Sequence, residues 1–176
     1  MQAYNRDVII MKNSESLKYY NDIADLESFG VELPKLMQPL NLDAFRFAFQ
    51  TNHNHNHRPV YKIDPQRAIQ SIKNKKVTTS GFALSCYNSE INAKSTFKSL
   101  CRNFKLFPKT AGDSLYHGRL LEVDGLVTDI ENNGHFDFYE YSNFDRTKDL
   151  ILKRSYNETI KGFRNTIHYK PNDKDF

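Results

Sequence analysis

Residues 77–104 read VTTSGFALSCYNSEINAKSTFKSLCRNF, and their hydrophobic period changes midway. Val77 to Tyr87 is mostly apolar and rich in β-formers, which suits a buried strand. Asn88 and Ser89 are residue types that cap helices. From Glu90 to about Phe104 the apolar positions recur at helical spacing, with Ala93, Phe97, Leu100, Cys101 and Phe104 on one inner face. The neighbouring stripe is basic: Lys94, Lys98, Arg102 and Lys105 follow at i, i+4, i+8 and i+11. A strand that runs into a capped, one-sided basic helix is the unit around which the other elements are read.

Upstream, Ser14 to Phe29 predicts a helix, with Leu17, Tyr20, Ile23 and Ala24 on one side and Gly30 placed to stop it. The Pro-containing connector VELPKLMQPL leads to AFRFAFQ, whose strict alternation puts Phe45, Phe47 and Phe49 on one face and Arg46 on the other. Asp64-Pro65 opens a short helix as an N-cap followed by proline at the first position, and the basic NKK ends it. Downstream, LLEV and LVTDI flank Asp124-Gly125, a pair that favours a type I′ turn. The ENNG turn and the strand HFDFYEYS follow, and DLILKRSY reads as a further strand or the start of a last helix. The expected architecture is α+β: one domain over residues 1–176, an antiparallel sheet with a C-terminal three-strand meander, packed against two or three helices, with 170–176 as a frayed tail.

At 176 residues, with 13 Phe and 10 Tyr but only 7 Gly and 6 Pro, the chain has the material for a packed core. No apolar run approaches the roughly 20 residues that cross a bilayer, and two cysteines do not make a secreted disulfide framework. A soluble cytoplasmic protein with no membrane partner is expected. The net charge of +4 conceals blocks. Residues 58–110 hold eleven Lys and Arg against two Asp and Glu, net +9; residues 111–149 hold three against nine, net −6.

Three groups of residues carry possible chemistry. Lys73, Lys75 and Lys76 end one helix while Lys94, Lys98, Arg102 and Lys105 line another, with Phe and Tyr between them. Such a surface fits a phosphate-bearing ligand, either nucleic acid or a nucleotide. The plain alternatives are a solvated helix face or an acidic partner protein docking on it. The second group is TNHNHNHRPV, residues 51–60. On an extended chain, His53, His55 and His57 share a face, but the first and third stand roughly 13 Å apart. At most an adjacent pair can share an ion, and only with ligands from elsewhere such as His117, His135, Asp137 or Glu140. No metal is therefore expected, and the histidines are placed at a rim. In the third group, HFDFYEY, alternation puts His135, Asp137 and Tyr139 on one face and Phe136, Phe138 and Glu140 on the other. Glu140 is then either a perturbed carboxylate or an edge-strand residue reaching solvent or an arginine.

Arg46 in AFRFAFQ, Ser85 in GFALSCYNSEINAKSTF and Glu140 in FYEY occur in an order that resembles the ADP-ribosyltransferases. In that family a strand Arg, a strand Ser followed by a helix, and a Glu on a later strand form the NAD site. The resemblance implies NAD as cofactor, Arg46 positioning it, Ser85 supporting the site and Glu140 stabilising the developing ribosyl cation. The chain departs from the family where its Ser-x-Ser reads Ala83-Leu84-Ser85 and its Glu-x-Glu reads Phe138-Tyr139-Glu140. Without the resemblance, no cofactor is expected.

Overall fold

The computed structural model describes residues 16–49, 53 and 55–145, and the backbone of 151–155. The expected tail, 170–176, lies outside the described residues. The fold is α+β. The helices are α1 (Tyr20–Ser28), α2 (Val60–Ile63), α3 (Pro65–Lys73), α4 (Glu90–Asn103) and α5 (Phe107–Thr110). The strands are β1 (Leu42–Ala48), β2 (Leu84–Tyr87), β3 (Ser114–Leu120), β4 (Gly125–Val127), β5 (His135–Glu140) and β6 (Ile151–Ser155). All six form one antiparallel sheet in the order β4-β5-β2-β1-β3-β6.

Local chemistry sets the boundaries. The Asp64 carboxylate accepts from Arg67 N at 3.2 Å with Pro65 at the first position of α3, and Ser89 Oγ accepts from Asn92 N at 3.2 Å to open α4. Residues 77–87 differ from the expected long strand. Thr79–Phe82 form a 3₁₀ turn, and only Leu84–Tyr87 enter the sheet. Gly81 explains why: a Cβ there would stand 2.1 Å from the Tyr61 ring, so the turn presses directly on α2.

The C-terminal strands are antiparallel to their neighbours, and β4 and β5 form a direct hairpin pair. β3 takes its place beyond β1, with Leu42 opposite Leu120 and Ala48 opposite Ser114. Asp124-Gly125 is consequently not a two-residue hairpin turn. Asp124 Oδ2 accepts from Leu121 N at 2.6 Å and Asp124 N donates to Leu121 O at 3.0 Å, so residues 121–124 make a turn closed by both the backbone and the side chain of Asp124. This turn links strands four places apart. In a flat sheet they would stand about 19 Å apart, beyond the roughly 17 Å that five extended residues span. The sheet must therefore coil, and Leu120 at the end of β3 packs in the same cluster as Val127 of β4.

Coiling gives the sheet two unlike faces. Ala44, Leu84, Cys86, Leu120, Val127, Phe136, Phe138 and Phe144 fill the enclosed face. Over the other face lie two separate covers. α4 packs Ala93 and Phe97 onto Phe45, Tyr87 and Leu115. α1, α2 and the 3₁₀ turn pack Ile23, Leu26, Tyr61 and Phe82 near Leu126 and Tyr139.

Gly112, where the chain turns into β3, sits at φ +112° with backbone atoms of Ala48 only 2.2 Å from where a Cβ would be. Gly112→Ala combines a conformation closed to L side chains with an overlap against immobile backbone. It is expected to destabilise by on the order of 2–5 kcal/mol, read as a lowered urea midpoint. An unchanged midpoint contradicts this packing.

Candidate functional site

Two regions bear chemistry: the floor between the two helical covers, and the basic surface of α4 and α5.

The floor follows from how β1 meets β2. Their register is the single pair Phe45 opposite Tyr87, whereas β2 pairs with β5 along its whole length. Past that pair the strands part, and Arg46 Nη1 donates to the Ser85 carbonyl at 3.0 Å. Arg46 Nη2 also donates to the Arg58 carbonyl at 3.4 Å. The guanidinium thus spans a place where a continuous ladder would have used backbone N–H groups. Ser85 is the one exposed residue of β2 although the strand is central in the sheet.

Ser85 lies directly opposite Asp137, so their side chains share a face, and His135 and Tyr139 share it by alternation. Ser85 Oγ is 2.8 Å from His135 Nε2. His135 Nδ1 is 3.2 Å from Glu131 Oε1, and Asp137 Oδ1 lies 3.8 Å from Nε2. Burial raises the Asp137 carboxyl above its ordinary range, opposed by a Ser80 hydrogen bond and the His135 charge. The backbone that carries the ring is also held. Asn133 Oδ1 accepts from His135 N at 2.7 Å, and Gly134 N donates to Glu131 O at 2.8 Å. Gly134 has φ +81°, and a Cβ there would stand 2.2 Å from Asn92 Nδ2. The ENNG turn is thereby locked to the start of α4.

Of the three residues in the transferase-like order, Arg46 reaches only the backbone carbonyl of Ser85, its side chain leaving β1 on the Ala44 face, and Glu140 does not approach Ser85. Glu140 is three positions beyond Asp137 and points to the opposite face, 2% exposed, where it pairs with Lys18 Nζ at 3.5 Å. β5 is interior, between β4 and β2, so Glu140 is not the edge-strand residue of the plainer reading. The carboxylate that faces Ser85 is Asp137. Sequence alternation had separated the two faces correctly; the register between β2 and β5 was needed to see which residue met which. Cys86 faces the enclosed side with Phe136, and burial pushes its thiol up to about 12, so no thiol–imidazole pair forms with His135.

The histidine segment is a turn and not an extended run. Asn56 N donates to His53 O at 2.8 Å, His57 adopts φ +53°, and the Asn56 amide brackets Phe49, accepting from its N and donating to its O at 2.8 Å each. The imidazoles divide: His53 and His55 lie edge to face at 4.8 Å between centroids, His53 also packing against Phe49, while His57 is buried against Tyr116. Among the described residues no three His, Cys, Asp or Glu side chains are grouped to hold a metal.

On the basic surface, Lys98, Arg102, Lys105 and Lys109 are exposed. Lys94 forms an ion pair with Glu90 at 2.5 Å, one turn away. Phe104, expected on the inner face of α4, is 61% exposed instead. Its backbone leaves the helix at φ −133°, which takes the ring off the buried face. Lys73, Lys75 and Lys76 are exposed too, but at and just past the end of α3, which packs on α2, whereas α4 packs on β1, β2 and α5.

No family model, curated protein or solved structure matches this chain. Among the described residues no helix is long and apolar enough to cross a membrane.

A raised folded-state value for Asp137 stabilises the fold only while the carboxyl is protonated. That contribution is complete below the ordinary value of 3.8 and is lost as pH rises through the folded value. Asp137→Asn should therefore gain stability relative to the parent as pH rises from below 3.8 to neutrality, followed by urea unfolding. A difference that shrinks with pH contradicts a buried, desolvated carboxyl.

Proposed function

We propose that the protein binds a phosphate-bearing ligand, single-stranded nucleic acid, along the outer surface of α4 and α5. The observation that carries this reading is that Phe104 is exposed in the same stretch as the exposed cations Arg102, Lys105 and Lys109. A solvated helix face needs charges but gains nothing from an exposed aromatic. A single strand uses both, cations for its phosphates and a ring on which a base stacks. A row of cations also suits a repeating backbone better than one nucleotide. Glu90 is the sole acid between residues 90 and 110, and its partner Lys94 is one turn from Lys98. The operative cations in this reading are Lys98, Arg102, Lys105 and Lys109, with Lys94 oriented by Glu90. Lys73, Lys75 and Lys76 add to the long-range positive field that steers a polyanion.

An NAD-dependent transferase on Arg46, Ser85 and Glu140 is the weaker reading, because the Glu140 carboxylate faces away from Ser85. A protein–protein module docking an acidic partner would use the cations but not the ring, and Phe104 separates it from the nucleic-acid reading.

Fluorescence anisotropy with a labelled single-stranded oligonucleotide tests the proposal. Wild-type affinity should fall linearly on a log–log salt plot, with a slope of about −0.7 for each phosphate neutralised. The variant Lys98→Glu, Arg102→Glu, Lys105→Glu should bind at least about 100-fold more weakly with a flattened slope. Phe104→Ala should lose about 1–3 kcal/mol with the slope preserved. A folded triple variant that binds like the parent overturns the proposal.

A further inference from the structure

Ser85, His135 and Glu131 stand apart from the α4–α5 cations, and their arrangement has its own chemical meaning. We propose that they form a nucleophilic site, with Ser85 the nucleophile, His135 its general base and Glu131 the positioning residue, acting on a carboxylic ester.

A carboxylate can only accept, so Glu131 Oε1 at 3.2 Å from Nδ1 selects the imidazole with its proton on that nitrogen. The Nε2 lone pair is then directed at Ser85 Oγ, 2.8 Å away, and the hydroxyl donates to it. These are the contacts that define a serine–histidine–acid relay, in which geometry and not sequence order identifies the parts. Asp137 Oδ1, 3.8 Å from Nε2, is too distant to take the serine's place as hydrogen-bond partner. It is close enough to favour a positive ring once the proton has moved.

Access and rigidity support the assignment. Ser85 is the solvent-open position of a central strand, between the α4 cover and the α1–α2 cover. The backbone that carries His135 is fixed by the Asn133 contact and by the Gly134 turn wedged against Asn92. Arg46, on the Ala44 face of β1, fixes the Ser85 backbone by donating to its carbonyl. In the step proposed, Oγ bonds to the carbonyl carbon and the Oγ proton passes to Nε2. The bond from carbon to the alcohol oxygen then breaks and the alcohol leaves with that proton. Water attacks the acyl-serine in the same manner, giving the carboxylic acid and restoring Ser85.

The experiment treats the full-length folded chain with an alkyl phosphonofluoridate, which reports activated serines without requiring the natural ester. Oγ bonds to phosphorus, fluoride departs and the proton goes to His135. Intact-mass and peptide analysis should find one adduct, on Ser85, and none in Ser85→Ala. His135→Gln should slow labelling at least about 100-fold, and Glu131→Gln, a change at an exposed side chain, about 10-fold. A folded wild type that stays unlabelled overturns the proposal, as does labelling that His135→Gln and Glu131→Gln leave unchanged. Oligonucleotide binding by the Ser85→Ala variant reports on the α4–α5 reading separately, so failure of one does not disguise failure of the other.

Discussion

The pair Phe45–Tyr87 is where the sheet holds together and where it opens. β1 and β3 zip along seven residue pairs, and β2 and β5 along four. Between these two ladders the register is one pair, backed by the aromatic packing of Phe45, Tyr87 and Phe97 beneath α4. A sheet joined so narrowly at its centre bends there, and Arg46 stitches the opening with donors to two carbonyls. Asp43 fastens the far end of β1 to β3. His117, with Arg119 beside it, holds its carboxyl below the usual range, against the upward pull of burial. The consequence is an exposed serine on a central strand, a position that a continuous sheet with helices across its face would bury.

The two chemical regions follow from this opening in different ways. α4 caps the β1 side of it and must bury Ala93 and Phe97, which forces the adjacent cationic stripe toward solvent. The helix ends one residue before Phe104, and the ring therefore stays outside with the cations. On the β5 side, the ENNG turn has to fit against Asn88 and Asn92, and only glycine allows it at position 134. That fit sets where Glu131 and His135 stand relative to Ser85. The cation surface and the serine site thus share α4 as a common support while using different residues.

Much of the fold was legible in the chain because it rests on local rules. The caps at Asp64 and Ser89, the span of α4 and the alternation in β1 and β5 each follow from residues within a few positions of one another. Failures arose where a distant contact overrode a local signal. Asp124-Gly125 has the chemistry of a tight hairpin, yet β1 captured β3, and the turn became a crossover link. The alternating histidines suggested an extended segment, but the Asn56 amide satisfies both polar groups of Phe49 and closes a turn. For the site, sequence order singled out Arg46, Ser85 and Glu140, and the faces of β5 were read correctly. The partner of Ser85 depends on the β2–β5 register, a long-range property with no short sequence signal. His135, Asp137 and Glu131 were visible as residues but not as neighbours of that serine.

The claim on which these readings turn is that the centre of the sheet is open at Ser85 and closed one residue later at Cys86. Ser85→Cys in a Cys101→Ser background places two adjacent thiols on the same strand, one on each face. Reaction with a soluble aromatic disulfide under native conditions measures both. The account predicts one thiol reacting at nearly the rate of the unfolded chain, with Cys86 protected until denaturant is added. Protection of both thiols in the native state would mean a closed sheet and would contradict the account.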